Sequence, residues 1–321
     1  MISMLGSFSA IFLGLCLLLS AVFILAYPLI RPAFFTLHPR FGSALLLLYW
    51  LCPFVMSLAS TSLLFMPEIE NVLVDSHCHQ ECVSHVPMLH SEELAMFGLL
   101  LGGGVLLSLA WRCVSTLSKS RQLSTQFKHL GRDLGAYQQL KGAVPLVFTL
   151  GWWHPRIYVS EGLEKACSNT DMSIILLHEN AHQKRRDNLR LLLAKLCSVI
   201  LYRVGATKMM SDLQLLTEQA CDFSAAEKFG YVNVAETLLK VKRLIKQTSS
   251  MPTGALAFAE TDVELRIKAL LKAQQRLQLY PWQLGLIVCS LLVFMSLLIS
   301  PLHHGSEWLI TLVSHTNVLA H

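Results

Sequence analysis

The chain has 321 residues, of which 53% are hydrophobic and only 15% charged, and its net charge is +5. Soluble domains carry about 25% charged residues. The composition therefore excludes an ordinary soluble protein and calls for several segments buried in lipid.

The first apolar run extends from about residue 8 to residue 30 and meets no charge before Arg31. It is longer than the apolar region of a secretory signal and has no basic stretch ahead of it, so it is expected to span the membrane. A second span is expected at about 43–66. A third is expected at about 94–114, where Gly102, Gly103 and Gly104 offer a point of close helix approach. A fourth is expected at about 282–302.

Charge orients these spans. Between the first two lie Arg31 and Arg40 and no acid, whereas the loop at 66–93 carries Glu68, Glu70, Asp75, Glu81, Glu92 and Glu93 and no Lys or Arg. Arg112, Lys119, Arg121, Lys128 and Arg132 follow the third span. Positive flanks stay cytoplasmic, so both termini are expected outside a bacterial inner membrane. The positive charge then reflects topology, and no nucleic acid partner is implied. The chain divides into three spans with an acidic outer loop (1–114), a cytoplasmic domain (115–280), and a fourth span with a short outer tail (281–321).

The outer segments are rich in histidine. His77, His79, His85 and His90 in the loop and His303, His304, His315 and His321 in the tail make eight of the 13 in the chain. His77, Cys78, His79 and Cys82 place imidazole and thiol in one short stretch, a ligand set that suits copper or zinc. A Cys78–Cys82 disulfide with incidental surface histidines is the competing reading. Cys113, Cys167, Cys197 and Cys221 are expected as reduced thiols on the cytoplasmic side, while Cys16, Cys52 and Cys289 fall within spans.

In the cytoplasmic segment, 115–141 reads as a polar helix leading from the third span. Residues 144–150, the turn Gly151-Trp-Trp-His-Pro155 and 156–159 read as strand, turn, strand. An edge strand beside a metal helix can hold a peptide in extended form by backbone pairing.

The helix that follows, with Asp171 expected as its N-cap, carries His178-Glu179-Asn180-Ala181-His182. Residues four apart on a helix share a face, one turn apart. That geometry suits two nitrogen ligands on one zinc ion, with Glu179 placed to take a proton from an attacking water. Asp187 is expected to orient a ligand histidine or to pair with an arginine. The donor that would stabilise the developing oxyanion is open among Arg156, His154 and Tyr202.

The apolar run 189–202 is short for a span and contains Arg190 and Lys195. If it crossed the membrane, the residues after it would lie on the far side from His178. It is expected to pack in the domain core or to lie on the membrane surface, making lipid a partner. A helix over 212–229 then presents Glu218 and Asp222 on one face. Glu218 completes a His₂Glu set with one position open, and Asp222 can orient a ligand histidine. Two more amphipathic helices, at 236–247 and 261–277, flank a loop at 251–255. Lys184, Arg185, Arg186 and Asp187 directly after the motif argue against a metal helix inside the bilayer. A non-enzymatic receptor or assembly protein with a structural metal site remains the alternative, and a closed, all-protein ligand set would favour it.

The motif His178-Glu179-x-x-His182 with Arg186-Asp187, then Glu218-x-x-x-Asp222 enclosing Cys221, resembles the BlaR/MecR-type integral membrane metallopeptidases, the antirepressor family. Gly151-x-x-x-Pro155-Arg-Ile157 and Glu264-Leu-Arg266-Ile267 also fit, and the likeness covers the four-span layout and about 140–271. The resemblance implies a mainly α membrane protein with a cytoplasmic gluzincin-like α+β zinc peptidase domain. It implies His178, His182 and Glu218 as ligands, Glu179 as base, and a cytoplasmic protein substrate, often a winged-helix repressor, cleaved in signal transduction. The penicillin-binding domain that antibiotic sensors of this family carry after the fourth span is not expected, because no Ser-x-x-Lys motif follows residue 302.

Overall fold

The computed structural model describes residues 2–66, 92–198, 203–248, 253–273 and 276–280, and scattered positions from 282 to 305. Among them, helix α1 covers Ile2–Thr36, α2 Pro39–Leu64 and α3 Glu92–Leu130, and these three are long and apolar enough to cross a membrane. Most of the expected fourth span, and the outer His/Cys loop with His77, Cys78, His79 and Cys82, lie outside the described residues. Backbones of α1 and α3 touch at Gly6 and Ala95, and Gly102 lies against Ser9. Among the described residues, no neighbouring atom lies where a Cβ on Gly103 or Gly104 would point, and Gly102 is the one of the three that makes a close approach. Helix α1 continues through Pro28 and Pro32. A helical proline removes one bond and disturbs the carbonyls a turn before it, and Tyr49 Oη donates to Phe23 O at 2.6 Å.

Helix α3 does not stop at the membrane boundary. It runs 39 residues, about 58 Å, and is followed by β1 (Gly131–Asp133) and β2 (Gln138–Leu140). A single polar helix was expected there. Strands of three residues are too short to show alternation, and their signal is the turn at Gly135, with φ +83°. Strands β3 (Val147–Leu150) and β4 (Arg156–Ser160) form the expected hairpin. The sheet order is β1-β2-β4-β3, with β2 and β4 parallel, so β3 lies at an edge. Phe148 and Tyr158 meet Phe127 of α3 on one face at centroid distances of 5.3 and 5.7 Å. Ile157 and Val159 face the opposite way, into a core with Leu163, Met172 and Ile175.

The remaining helices are α4 (Glu161–Ala166), α5 (Asn169–Arg185), α6 (Asp187–Cys197), α7 (Arg203–Phe229), α8 (Tyr231–Thr248) and α9 (Thr253–Leu271). Ser168, not Asp171, caps α5. Its hydroxyl accepts from Asp171 N while the Asp171 carboxylate accepts from Ser168 N, a capping box. Helix α9 begins at Thr253, inside the stretch expected as a loop.

Helices α6 and α7 pack against α1 and α2 through Tyr27, Phe34, Leu46, Trp50, Ala194, Met209, Leu213 and Leu216. Within the apolar run, Leu191, Ala194 and Cys197 thus pack against the two membrane helices. Met209, Leu213 and Leu216 are all but fully buried. At about 1.5–3 kcal/mol each they outweigh the half-exposed Lys208–Asp212 pair, worth under about 1 kcal/mol. Asp212 is fixed more firmly by Tyr27 Oη at 2.7 Å and by both Arg31 donors at 2.6 and 2.9 Å. Leu277 then bonds back to Thr36 and His38, tying the segment after α9 to the α1–α2 turn.

Candidate metal centre

Helix α5 presents His178 and His182 one turn apart, their Nε2 atoms 3.2 Å from each other. Helix α7 crosses α5 and brings Glu218 to 3.5 Å from each of these nitrogens. The three side chains form a group close enough to hold one metal ion. His178 Nδ1 lies 3.0 Å from Asp222 Oδ1, and His182 Nδ1 lies 2.9 Å from Asp187 Oδ2. Carboxylates only accept, so each Nδ1 donates and each Nε2 is left as a bare lone pair. Two such lone pairs and a carboxylate point at one spot, an arrangement that repels itself unless a cation lies between. The donor set therefore fits a divalent metal.

The carboxylates favour positive charge at this spot. Burial would lower the His178 proton affinity, but Asp222 and Glu218 outweigh it and raise the imidazole to about 10, so the field that holds a proton on Nε2 equally favours a cation in that proton's place. Burial would raise the Glu218 carboxyl, yet Arg266 and the two histidines hold it far below the ordinary carboxylate range. Arg266 links the group: Nε and Nη2 each donate to Asp222 at 2.7 Å, and Nη1 stands 3.0 Å from Glu218. A bidentate guanidinium–carboxylate pair of this kind fixes orientation as well as charge.

Asp187 reaches His182 because the chain reverses at Arg186, whose φ of 52° is left-handed. A non-glycine residue there costs about 1–2 kcal/mol. The turn ends α5 and makes Asp187 the first residue of α6, aimed back at the ligand face. Arg185 and Arg190 also hold Asp187, at 3.1 and 3.0 Å. Asp187 thus makes both of the contacts the sequence left open. Cys221 Sγ sits 3.3 Å from His182 Nδ1, and His182, Asp187 and Cys221 form a second close donor set. Burial pushes the Cys221 thiol up, and Asp187 is already neutralised by two guanidiniums, so this set supports His182 instead of competing for an ion.

Glu179 is 7% exposed and lines a cleft of about 380 Å³ together with both histidines and Glu218. Thr149 Oγ1, on edge strand β3, donates to Glu179 Oε2 at 2.7 Å. Asn188 Nδ2 donates to the carbonyls of Thr149 and Gly151 at 3.1 and 3.0 Å, pinning β3 to α6. Val147, Ile174, Ile175, Val234, Leu238 and Val241 supply an apolar wall beyond the polar centre. The roles of Thr149 and Asn188 were not legible in the sequence, and neither Arg156 nor His154 lines the cleft. Tyr202 lies outside the described residues.

Two histidines a turn apart, a carboxylate beside them and a glutamate from a second helix form a metallopeptidase-type centre, here attached to apolar helices that suggest membrane insertion. Residues 101–270 match the BlaR1 peptidase M56 family model, just over half of the chain, and the chain belongs to that family of membrane metallopeptidases. No curated protein and no solved structure matches it.

Proposed function

We propose that the chain is a zinc metalloendopeptidase of signal transduction, anchored by four spans in a bacterial inner membrane with its catalytic domain (115–280) in the cytoplasm. The observation that carries this reading is the convergence of His178, His182 and Glu218 with Glu179 beside them in an open cleft. His178, His182 and Glu218 would hold zinc, and Asp222 and Asp187 keep the two imidazoles in the tautomer that leaves Nε2 free. Zinc bound there supplies Lewis acidity to a water and to the scissile carbonyl. Glu179 takes the proton of the attacking water and passes it to the leaving amine. The Thr149 hydroxyl aims the Glu179 carboxylate while it does so. The outer edge of β3, apart from the Thr149 carbonyl held by Asn188, would hold the substrate backbone in extended form. The open cleft favours catalysis over a structural site, whose ligand sphere would be closed. The substrate would be a cytoplasmic protein, a winged-helix repressor fitting the family likeness.

The test has two parts. Purified protein should bind about one zinc per chain, and the content should fall in His178→Ala, His182→Ala and Glu218→Ala. Glu179→Gln should keep zinc and fold, since the amide still accepts from Thr149, and lose about 10²–10⁴ in proteolytic rate. Unchanged zinc in all three alanine variants, or full turnover in Glu179→Gln, overturns the assignment.

A further inference from the structure

Asp212 of α7 is a charged side chain only 2% exposed, and its bonds lead out of the peptidase unit into α1. Tyr27 and Arg31 stand one turn apart on the same face of α1. Tyr27 Oη and Arg31 Nε both donate to Asp212 Oδ2, at 2.7 and 2.6 Å, and Arg31 Nη2 donates to Oδ1 at 2.9 Å. Within α7 itself Asp212 has Lys208 at 3.4 Å, on a side chain more than half exposed, and such a pair holds weakly. Apolar residues of like volume would stabilise this contact as well as a buried ion pair does, and the best attested use of such a pair is to fix register. Leu213 and Leu216 are buried beside it, but apolar contact has no direction. It lets α7 turn and slide in a way the three hydrogen bonds do not.

What that register places is the metal centre. At about 100° per residue, Ala206, Met209, Asp212, Leu213 and Leu216 share the side of α7 that meets the membrane helices. Glu218 and Asp222 leave from roughly the opposite side, toward α5. Glu218 lies six residues beyond Asp212, about 9 Å along the axis. A turn of α7 by about 20° would carry a side-chain end, about 5–6 Å from the axis, through about 2 Å. Metal–ligand distances tolerate about 0.2 Å. The other ligand helix is held on the same helix pair. Arg185 at the end of α5 donates to Ser43 Oγ of α2 at 2.8 Å, and it also holds Asp187 against His182.

We propose, on the reading of His178, His182 and Glu218 as ligands, that Tyr27 and Arg31 are positioning residues of the metal centre. By holding Asp212 at two points they set the rotation of α7, and so the placement of Glu218 against the two histidines. Helix α1 thereby takes part in building the centre although, among the described residues, none of α1 lines the cleft.

The test is a double-mutant cycle on the full chain in detergent, with zinc Kd measured by competition against chelators of graded strength. Arg31→Gln should weaken zinc about ten-fold when Glu218 is present and less than about two-fold in Glu218→Ala, because its effect passes through Glu218. Tyr27→Phe/Arg31→Met/Asp212→Leu fills the contact with apolar volume. It should stay folded by circular dichroism and still bind zinc about ten-fold more weakly. Tyr27→Phe alone removes one oxygen, keeps both charges and should weaken zinc about three-fold; it reads the same attachment if the other variants do not fold. Equal losses for Arg31→Gln in the two backgrounds, wild-type zinc affinity in the folded apolar variant, or wild-type affinity in Tyr27→Phe would each overturn the proposal. Zinc binding untouched by Glu218→Ala would overturn the ligand set, and the proposal with it.

Discussion

Asp187→Asn isolates the electrostatic support of the metal centre. The substitution preserves shape and leaves an amide oxygen to accept from His182 Nδ1, but removes the charge. Asp187 Oδ2 is 2.9 Å from Nδ1; crossing the ring and a zinc–nitrogen bond of about 2.1 Å places a bound ion about 7 Å from the lost charge. At an effective dielectric near 20 a doubly charged ion at that distance gains about 4.7 kcal/mol from the carboxylate. This is an upper bound that solvent in the open cleft screens toward the about 10–100-fold in Kd typical of groups that orient metal ligands. Arg185 and Arg190 lose their counterion together, which pushes the effect further in the same direction. The assay is chelator competition at equilibrium on detergent-purified protein, with circular dichroism to verify the fold. A folded variant whose zinc Kd moves by less than about 3-fold would refute the idea that Asp187 acts on the metal through His182.

Two further outcomes follow from the same reasoning. Burial alone would raise the Asp171 carboxyl, but Lys240, Ser168 and Thr237 hold it down to about 2 from its ordinary 3.8. A depressed carboxylate stabilises above its unfolded pKa and ceases to do so as pH falls through the folded value. Asp171→Asn should therefore cost about 1 kcal/mol near neutral pH, because the Lys240 partner is solvated, and progressively less from pH 4 to pH 2, measured by denaturant unfolding; a pH-independent penalty would contradict the ion-pair account. Reporter fusions after Met88 and after Arg121 should report opposite compartments, and the same compartment for both would overturn the charge-based orientation.

Much of the architecture is legible in short windows. Apolar runs mark α1, α2 and α3 because crossing hydrocarbon requires about 20 consecutive apolar residues. His178, Glu179 and His182 are legible because the helix repeat fixes their relative directions whatever surrounds them. Glu218 and Asp222 share a face for the same reason, though nothing local says that this face turns toward α5. Crossing of α7 over α5 is set by packing of Ile174 against Phe223 and of Leu213 and Leu216 against the membrane helices.

Other features exist only in the folded chain. Thr149 reaches Glu179 because β3 is an edge strand beside α5, a consequence of strand order and not of the segment 147–150. Arg266 stands 44 residues from Asp222 and meets it only after α9 packs on α7. Asp187 is five residues from His182, yet it reaches the ring because Arg186 adopts a left-handed conformation that its residue type disfavours. Periodicity and length are properties of a segment and survive in isolation. Pairings across the fold depend on which buried faces find each other, and the sequence states that only through the sum of all its contacts.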